Sequence, residues 1–465
     1  MRAGQQLALE LGFFFAWLLT VPLFGPLLQR SAELRGTSVQ PHLFMLVHAI
    51  TLVGLGMILN RTKTKRPVVH AIRYCVLLCA LFTIAFFWAP PSYQESLLGL
   101  MAIPSSLYIL LWVERFVSLD QGQRPSIMVL AIFIANVVYV LIQLLSPYLG
   151  LAALTLLATT LLLVPALRPR RFAGEIKSTP QLPTPTADWR VLLKFCLAVV
   201  ALYVVGGLYY TVTRDAVESS STWGPIFLIL PYLLGLGGTL WVIKTLGLRS
   251  LAILSAAVLG IGYGLSALPP YPGSMLLAFA LIQAALAGFD VFVWVGLAEY
   301  CLKNLKPVGV YGWGLGANVT GLLAGSFLAT SWLARTPKDI ITNSALAATL
   351  VLFVSIVALV ELPPRPKGVH EEPSLVKPNN TSEVMTLPPH LSAALTPRQL
   401  EVANLMLRGL ENKEIEQELY ITANTTKSHI RQVYRRLEVH NRQELLLLAL
   451  KKQGEAPGGS FGEEK

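Results

Sequence analysis

The sequence predicts an all-α protein: a polytopic membrane bundle of twelve helices in two blocks of six, followed by a small cytoplasmic four-helix domain. Three observations carry this. Hydrophobic residues fill 54% of the 465 positions, charged residues only 14%, and the mean hydropathy is +0.58, whereas soluble chains are about a quarter charged. Apolar runs of about 20 residues, the length that crosses a bilayer, recur throughout residues 1–361. The charges behind the net +11 crowd into short gaps and the C-terminal region, where the apolar pattern changes to that of short amphipathic helices.

The apolar runs fall at 8–28, 41–59, 68–89, 96–117, 126–146 and 149–167, then at 190–212, 223–243, 250–268, 274–301, 308–333 and 340–361. The halves are thus 1–167 and 190–361, joined by a basic, Pro-rich loop at 168–189. The first run has no cleavage site of the kind that ends a secretory leader and reads as a span. Lys and Arg set the orientation. Even-numbered loops carry thirteen, including Arg61, Lys63, Lys65, Arg66, Arg168, Arg170 and Arg171, while odd-numbered loops carry five, among them Arg30 and Arg35. The even loops and both termini are therefore expected in the cytoplasm, with the bundle in the bacterial inner membrane.

Two six-helix blocks around a longer cytoplasmic loop resemble the major facilitator architecture, which implies a central cavity between the halves. The loop "NRTKTKRP" at 60–67 lacks the Gly and Asp of that family's usual signature between spans two and three. This departure favours a sensor over an active transporter.

Ionisable groups at lipid depth are costly and mark function. Arg73 and Lys194 lie near span ends and can snorkel, and Glu299 and Lys303 are spaced to pair. Asp290, in "LIQAALAGFDVFVWVGLAEY", has no nearby cation and has Trp294 one turn on. His48, Asn136 and Asn318 occupy comparable depths in the second, fifth and eleventh spans. These four are the candidate ligand-binding residues, against the plainer alternative of interhelical hydrogen bonds that only hold the bundle. Cys75, Cys79, Cys196 and Cys301 read as packing thiols. No metal set or cofactor motif appears.

Residues 362–391 hold seven prolines in thirty positions and read as a disordered linker, which at about 3.1 Å per residue could reach roughly 90 Å. Residues 392–452 then read as four capped helices. "TPRQLEVANLMLRG" opens with a capping box, Thr396 with Gln399, and Pro397 at the first helical position. "NKEIEQELY" starts at Asn412, "ITANTTKSHIRQVYRRL" is capped by Thr422, and "NRQELLLLALKK" begins at Asn441 with Glu444 three on. Leu400, Ala403, Leu407, Ile415, Leu419, Ile421, Ile430, Val433 and Leu437 would form the core. Ten Lys/Arg against seven Asp/Glu leave a modest positive excess. On the third helix Lys427, Arg431 and Arg435 fall on one stripe, four residues apart. Residues 453–465 read as a flexible tail.

The motifs "LTPRQLEV", Gly409, "NKEI", "TTKSHI", "VYRRLEV" and "NRQE", at their mutual spacing, resemble the LuxR-type helix-turn-helix domain. Glu416, Thr426 and Glu438 stand where that family usually has alanine, valine and glycine. The resemblance implies that the third helix enters the major groove of double-stranded DNA. Lys427, Ser428 and Arg431 would then face base edges, and Thr425, Arg435 and Lys413 would contact phosphates. It also implies homodimerisation through the last helix, rich in leucine from Leu445 to Leu448. With no nucleophile–base pair, phosphate loop or metal cluster in the cytoplasmic parts, the expectation is a one-component transcription regulator, not an enzyme. Its bundle would sense a small molecule or membrane signal. The alternative is a secondary transporter with an appended DNA-binding tail.

Overall fold

Residues 3–23, 25–61, 68–167, 189–212, 224–266, 272–300, 306–331, 387, 389–408, 410, 412–419, 421–439 and 441–453 are described in the computed structural model. The chain divides into two compact units, Met1–Arg365 and Pro366–Lys465. The twelfth apolar run, the 168–188 loop and most of the Pro-rich stretch lie outside the described residues.

The first unit is helical. Its first half contains α1 (Ala3–Thr20), α2 (Pro26–Arg35), α3 (His42–Arg61), α4 (Val68–Trp88), α5 (Pro91–Val117), α6 (Arg124–Leu145), α7 (Leu151–Leu161) and α8 (Leu163–Ala166). The second half contains α9 (Trp189–Val212), α10 (Gly224–Leu246), α11 (Leu248–Ser266), α12 (Pro272–Glu299) and α13 (Pro307–Ser331). Among the described residues, eight helices are long and apolar enough to cross a membrane. Large apolar side chains such as Leu77, Leu81, Leu234, Trp241 and Phe327 stand exposed on the outside of the bundle. That surface suits hydrocarbon, because helices satisfy their own backbone groups.

The run at 8–28 is not one helix. α1 stops at Thr20, and α2 starts at Pro26 after Gly25, whose backbone is extended at φ −84°. Pro22 and Pro26 withhold the amide donors that a continuous helix would need. α2 buries Pro26, Leu27 and Leu28 and ends on Gly36, in the left-handed region at φ 60°. Arg35 donates to the carbonyls of Phe87 at 2.7 Å and Ala89 at 2.5 Å. It thereby caps the end of α4, where carbonyls lack helical partners. The sixth run is likewise broken, into α7 and α8.

Helices meet where side chains are absent. A Cβ on Gly312 of α13 would lie 2.6 Å from the Leu52 carbonyl and 2.9 Å from Gly56 Cα of α3, so the two halves touch backbone to backbone there. At the same end, Lys306 N–H donates to Asn60 Oδ1 at 2.6 Å, and Gln121 donates to Glu299 at 3.3 Å. Glu299 thus has a partner other than Lys303, which lies outside the described residues. Cys75, Cys79 and Cys196 are buried free thiols.

An ion pair not anticipated from the sequence ties α1 to α5. Arg115 donates to both Glu10 oxygens, at 2.6 and 3.2 Å, and the residues are 6% and 3% exposed.

The second unit has its own core. It comprises α14 (Pro389–Ser392), α15 (Pro397–Leu407), α16 (Asn412–Leu419), α17 (Ala423–Arg436) and α18 (Arg442–Gln453). Of the anticipated core, Ala403, Leu407, Ile415, Val433 and Leu437 are buried, with Leu400, Leu419 and Ile430 packed against them. The described residues include part of the stretch assigned to the linker. Leu387 is buried, its N–H donates to Asn404 Oδ1 at 3.1 Å, and α14 follows. Pro389 is tolerated because it opens α14, where no amide donor is required.

Removing one partner of a buried ion pair strands the other. Glu10→Ala is expected to destabilise the full-length protein by about 3–5 kcal/mol, and Glu10→Met with Arg115→Met by less than either single change. Thermal unfolding in detergent checks this; equal losses for the single and double variants would refute it.

Candidate nucleic-acid interface and bundle cavity

The tail helices are set by their caps. Thr396 Oγ1 accepts from Gln399 N–H at 3.4 Å while Gln399 Oε1 accepts from Thr396 N–H at 3.1 Å, completing the box that starts α15. The Gln399 amide then donates to Gln432 Oε1 at 2.6 Å, fixing α15 against α17. Thr422 caps α17, its hydroxyl accepting from Thr425 N–H at 3.4 Å. Asn441 Oδ1 accepts from Glu444 N–H at 2.9 Å at the start of α18. Two arginines close the C-terminal ends: Arg398 donates to the Leu419 carbonyl of α16 at 2.5 Å, and Arg442 donates to the Met406 carbonyl of α15. Sequence reasoning missed these two, because guanidinium caps act between helices distant in sequence.

On this frame Lys427, Ser428, Arg431 and Arg435 are exposed on α17. Among the described residues none of the three cations forms an ion pair. Thr425 is exposed, its hydroxyl 2.8 Å from that of Thr422. Lys413 lies in α16, and its side chain is outside the described residues. The arrangement leaves a positive, hydrogen-bonding ridge free to meet an anionic surface.

The departures from the family pattern have distinct local answers. Thr426 is fully buried, and its hydroxyl donates to the Thr422 carbonyl at 3.1 Å, so the added polar group is satisfied within its own helix. Glu416 is half-buried. Glu438 takes φ 54°, the left-handed residue that ends α17, while Val439 N–H reaches back to the Tyr434 carbonyl at 3.0 Å.

The second site lies inside the bundle. A cavity of about 260 Å³ is lined by His48, Asn136, Asp290 and Asn318 together with Tyr203, Tyr232, Gln283 and Trp294. The four residues singled out by depth in the sequence therefore converge, from α3, α6, α12 and α13. Tyr203 and Tyr232, from α9 and α10, each donate to a different oxygen of the Asp290 carboxylate. His48 is buried against Phe44, with Nδ1 2.8 Å from Ser106 Oγ and 3.1 Å from Ser105 Oγ. Asn136 donates to the Ile132 carbonyl at 2.9 Å. Trp294 is packed by Phe15, Trp112 and Tyr311 at ring-centroid distances of 5.5, 6.0 and 5.7 Å. The two phenols were missed from sequence; their signal was tyrosine inside apolar runs.

Glycine takes the left-handed conformation without the Cβ penalty. Glu438→Gly is expected to stabilise the tail unit by about 1 kcal/mol, read from denaturant unfolding. No gain would mean that the glutamate side chain offsets its backbone strain.

Comparison with known proteins covers both units separately. Residues 393–449 match the family model "Bacterial regulatory proteins, luxR family". The glycerol metabolism activator of Pseudomonas putida is 41% identical over 70 residues, covering 15% of this chain and 32% of that protein. The two-component response regulator PprB of Pseudomonas aeruginosa is 47% identical over 57 residues, 12% of this chain and 21% of that protein. The chain thus spans no more than about a third of either relative. Among solved structures, the human organic anion transporter MFSD10 aligns with a TM-score of 0.58 at 13% identity, over 76% of this chain and 100% of its own. A bacterial homologue of the iron transporter ferroportin aligns with a TM-score of 0.56 at 14% identity, over 78% of this chain and 100% of its own. Coverage of that extent requires the membrane unit, and likeness at such identity speaks to fold alone. The chain joins a LuxR-type helix-turn-helix domain at its C-terminal end to a multi-pass membrane domain of the major facilitator fold.

Proposed function

We propose that this protein is a membrane-embedded transcription regulator, which senses a ligand or membrane signal in its bundle and binds double-stranded DNA through its tail. The observation that carries the proposal is the ridge of Lys427, Arg431 and Arg435. It stands exposed on a capped helix of a unit with its own core, within the segment matching the luxR family. In this reading Lys427, Ser428 and Arg431 face base edges, while Thr425, Arg435 and Lys413 hold phosphates. Two copies pair through α18. The membrane domain, residues 1–361, crosses the inner membrane twelve times in two sets of six, with both termini cytoplasmic. The excess of Lys and Arg in the even-numbered loops supports that orientation. Asp290, His48, Asn136 and Asn318 form the sensory site, supported by their convergence on one cavity. The reading assigns no reaction and no cofactor.

A fragment from about residue 387 is expected to bind duplex DNA with affinity that falls steeply as salt rises, because phosphate contacts release counterions. Arg431→Ala should flatten the preference among sequences, at about 1–3 kcal/mol for the affected base pair, whereas Arg435→Ala should weaken all sequences alike. Electrophoretic mobility shifts with randomised duplexes separate the two effects; identical behaviour of both variants would overturn the groove assignment.

A further inference from the structure

We infer that the bundle cavity takes a small organic cation, an ammonium group carried on an aromatic or aliphatic body. The inference rests on the reading that the cavity is the sensory site, and it names the class of ligand. Among the described residues, Asp290 is the one acid in the lining, and neither Lys nor Arg lines it. The Asp290 carboxylate forms no ion pair among the described residues; its oxygens accept only the phenols of Tyr203 and Tyr232. It is half-buried, so part of it faces the cavity space. A carboxylate in a hydrocarbon-clad interior attracts positive charge strongly, because the medium screens little. An anionic ligand would meet that carboxylate with no lysine or arginine among the described lining residues to offset it, and the His48 ring is already engaged by Ser105 and Ser106.

The walls select among cations. Phe15, Tyr139, Tyr203, Tyr232 and Trp294 line the space. Aromatic faces attract diffuse cations and suit quaternary or substituted ammonium groups. Trp294 lies one helical turn beyond Asp290, and the rings of Phe15, Trp112 and Tyr311 hold it in place. A hard inorganic cation would need six or so oxygen ligands, and the lining offers a single carboxylate within a mostly apolar wall. Asn318 lines the same space and has no hydrogen-bond partner among the described residues, leaving its amide for a polar group on the ligand body. A site of about 260 Å³ suits a molecule of modest size.

The test is equilibrium binding of radiolabelled benzyltrimethylammonium to the full-length protein in phosphatidylcholine nanodiscs. Competitors are its neutral isostere neopentylbenzene and the anion phenylmethanesulfonate. Saturable ammonium binding is expected, with neopentylbenzene weaker by about tenfold or more, roughly the effect of 1.4 kcal/mol, and the sulfonate without effect. Asp290→Asn should lose about tenfold or more in ammonium affinity while neopentylbenzene binding stays unchanged. Trp294→Leu, which leaves the carboxylate in place, should weaken the ammonium several-fold and serves as the reporter if Asp290→Asn does not fold. Absence of saturable ammonium binding, equal binding of the isostere or the sulfonate, or full ammonium affinity in Asp290→Asn would overturn the inference. None of those results would touch DNA binding by the tail, so failure of the ligand class and failure of the regulator reading are distinguishable.

Discussion

Two phenols hold one carboxylate, and the interior of the second half is arranged around that contact. Asp290 has few options within an apolar bundle, since an unsatisfied charge in hydrocarbon is expensive. Tyr203 and Tyr232 supply one donor to each oxygen and so link α9, α10 and α12 at a common depth. The polar groups of the first half follow the same economy. His48 is held by Ser105 and Ser106 of α5, and Asn136 bonds within its own helix. His48, Asn136, Asp290 and Asn318 nonetheless all border one cavity within the bundle.

The two units obey opposite rules. The bundle exposes leucine, phenylalanine and tryptophan outward and brings helices together at glycine, as at Gly56 and Gly312. The tail hides a small aliphatic core and projects its charges. Its helices are short, and helices of that length are marginal on their own, so caps decide where they start and stop. Thr396, Thr422 and Asn441 set the starts, while Arg398 and Arg442 seal two ends from elsewhere in the domain. A recognition ridge is useful only when rigid, and the Gln399–Gln432 bond under α17 contributes to that.

Much of this was legible in the sequence because it is local. Capping pairs three residues apart, apolar runs of bilayer length and the cationic stripe each lie within one segment. The depth argument also placed Asp290, His48, Asn136 and Asn318, although only the folded chain brings them together. What was missed is non-local. Glu10 lies well inside α1, where it meets Arg115 from α5, a helix distant in sequence. Composition carried the first run past Pro22 although backbone chemistry ends the helix at Thr20. The prolines around residue 389 suggested linker, yet Leu387 buries and a helical turn begins there. Phenols in apolar runs are compatible with either packing or hydrogen bonding, and the sequence does not say which.

The central claim is that the bundle and the tail make one regulator. The most direct measurement compares genome-wide transcript levels in cells lacking the gene with those in cells carrying the full-length chain bearing Lys427→Ala and Arg431→Ala. The account predicts that the same transcripts change in both, although the double variant is present in the membrane at normal abundance. Normal transcripts in the double variant, alongside altered solute accumulation in the deletion, would contradict it and make the membrane domain a transporter whose tail is dispensable.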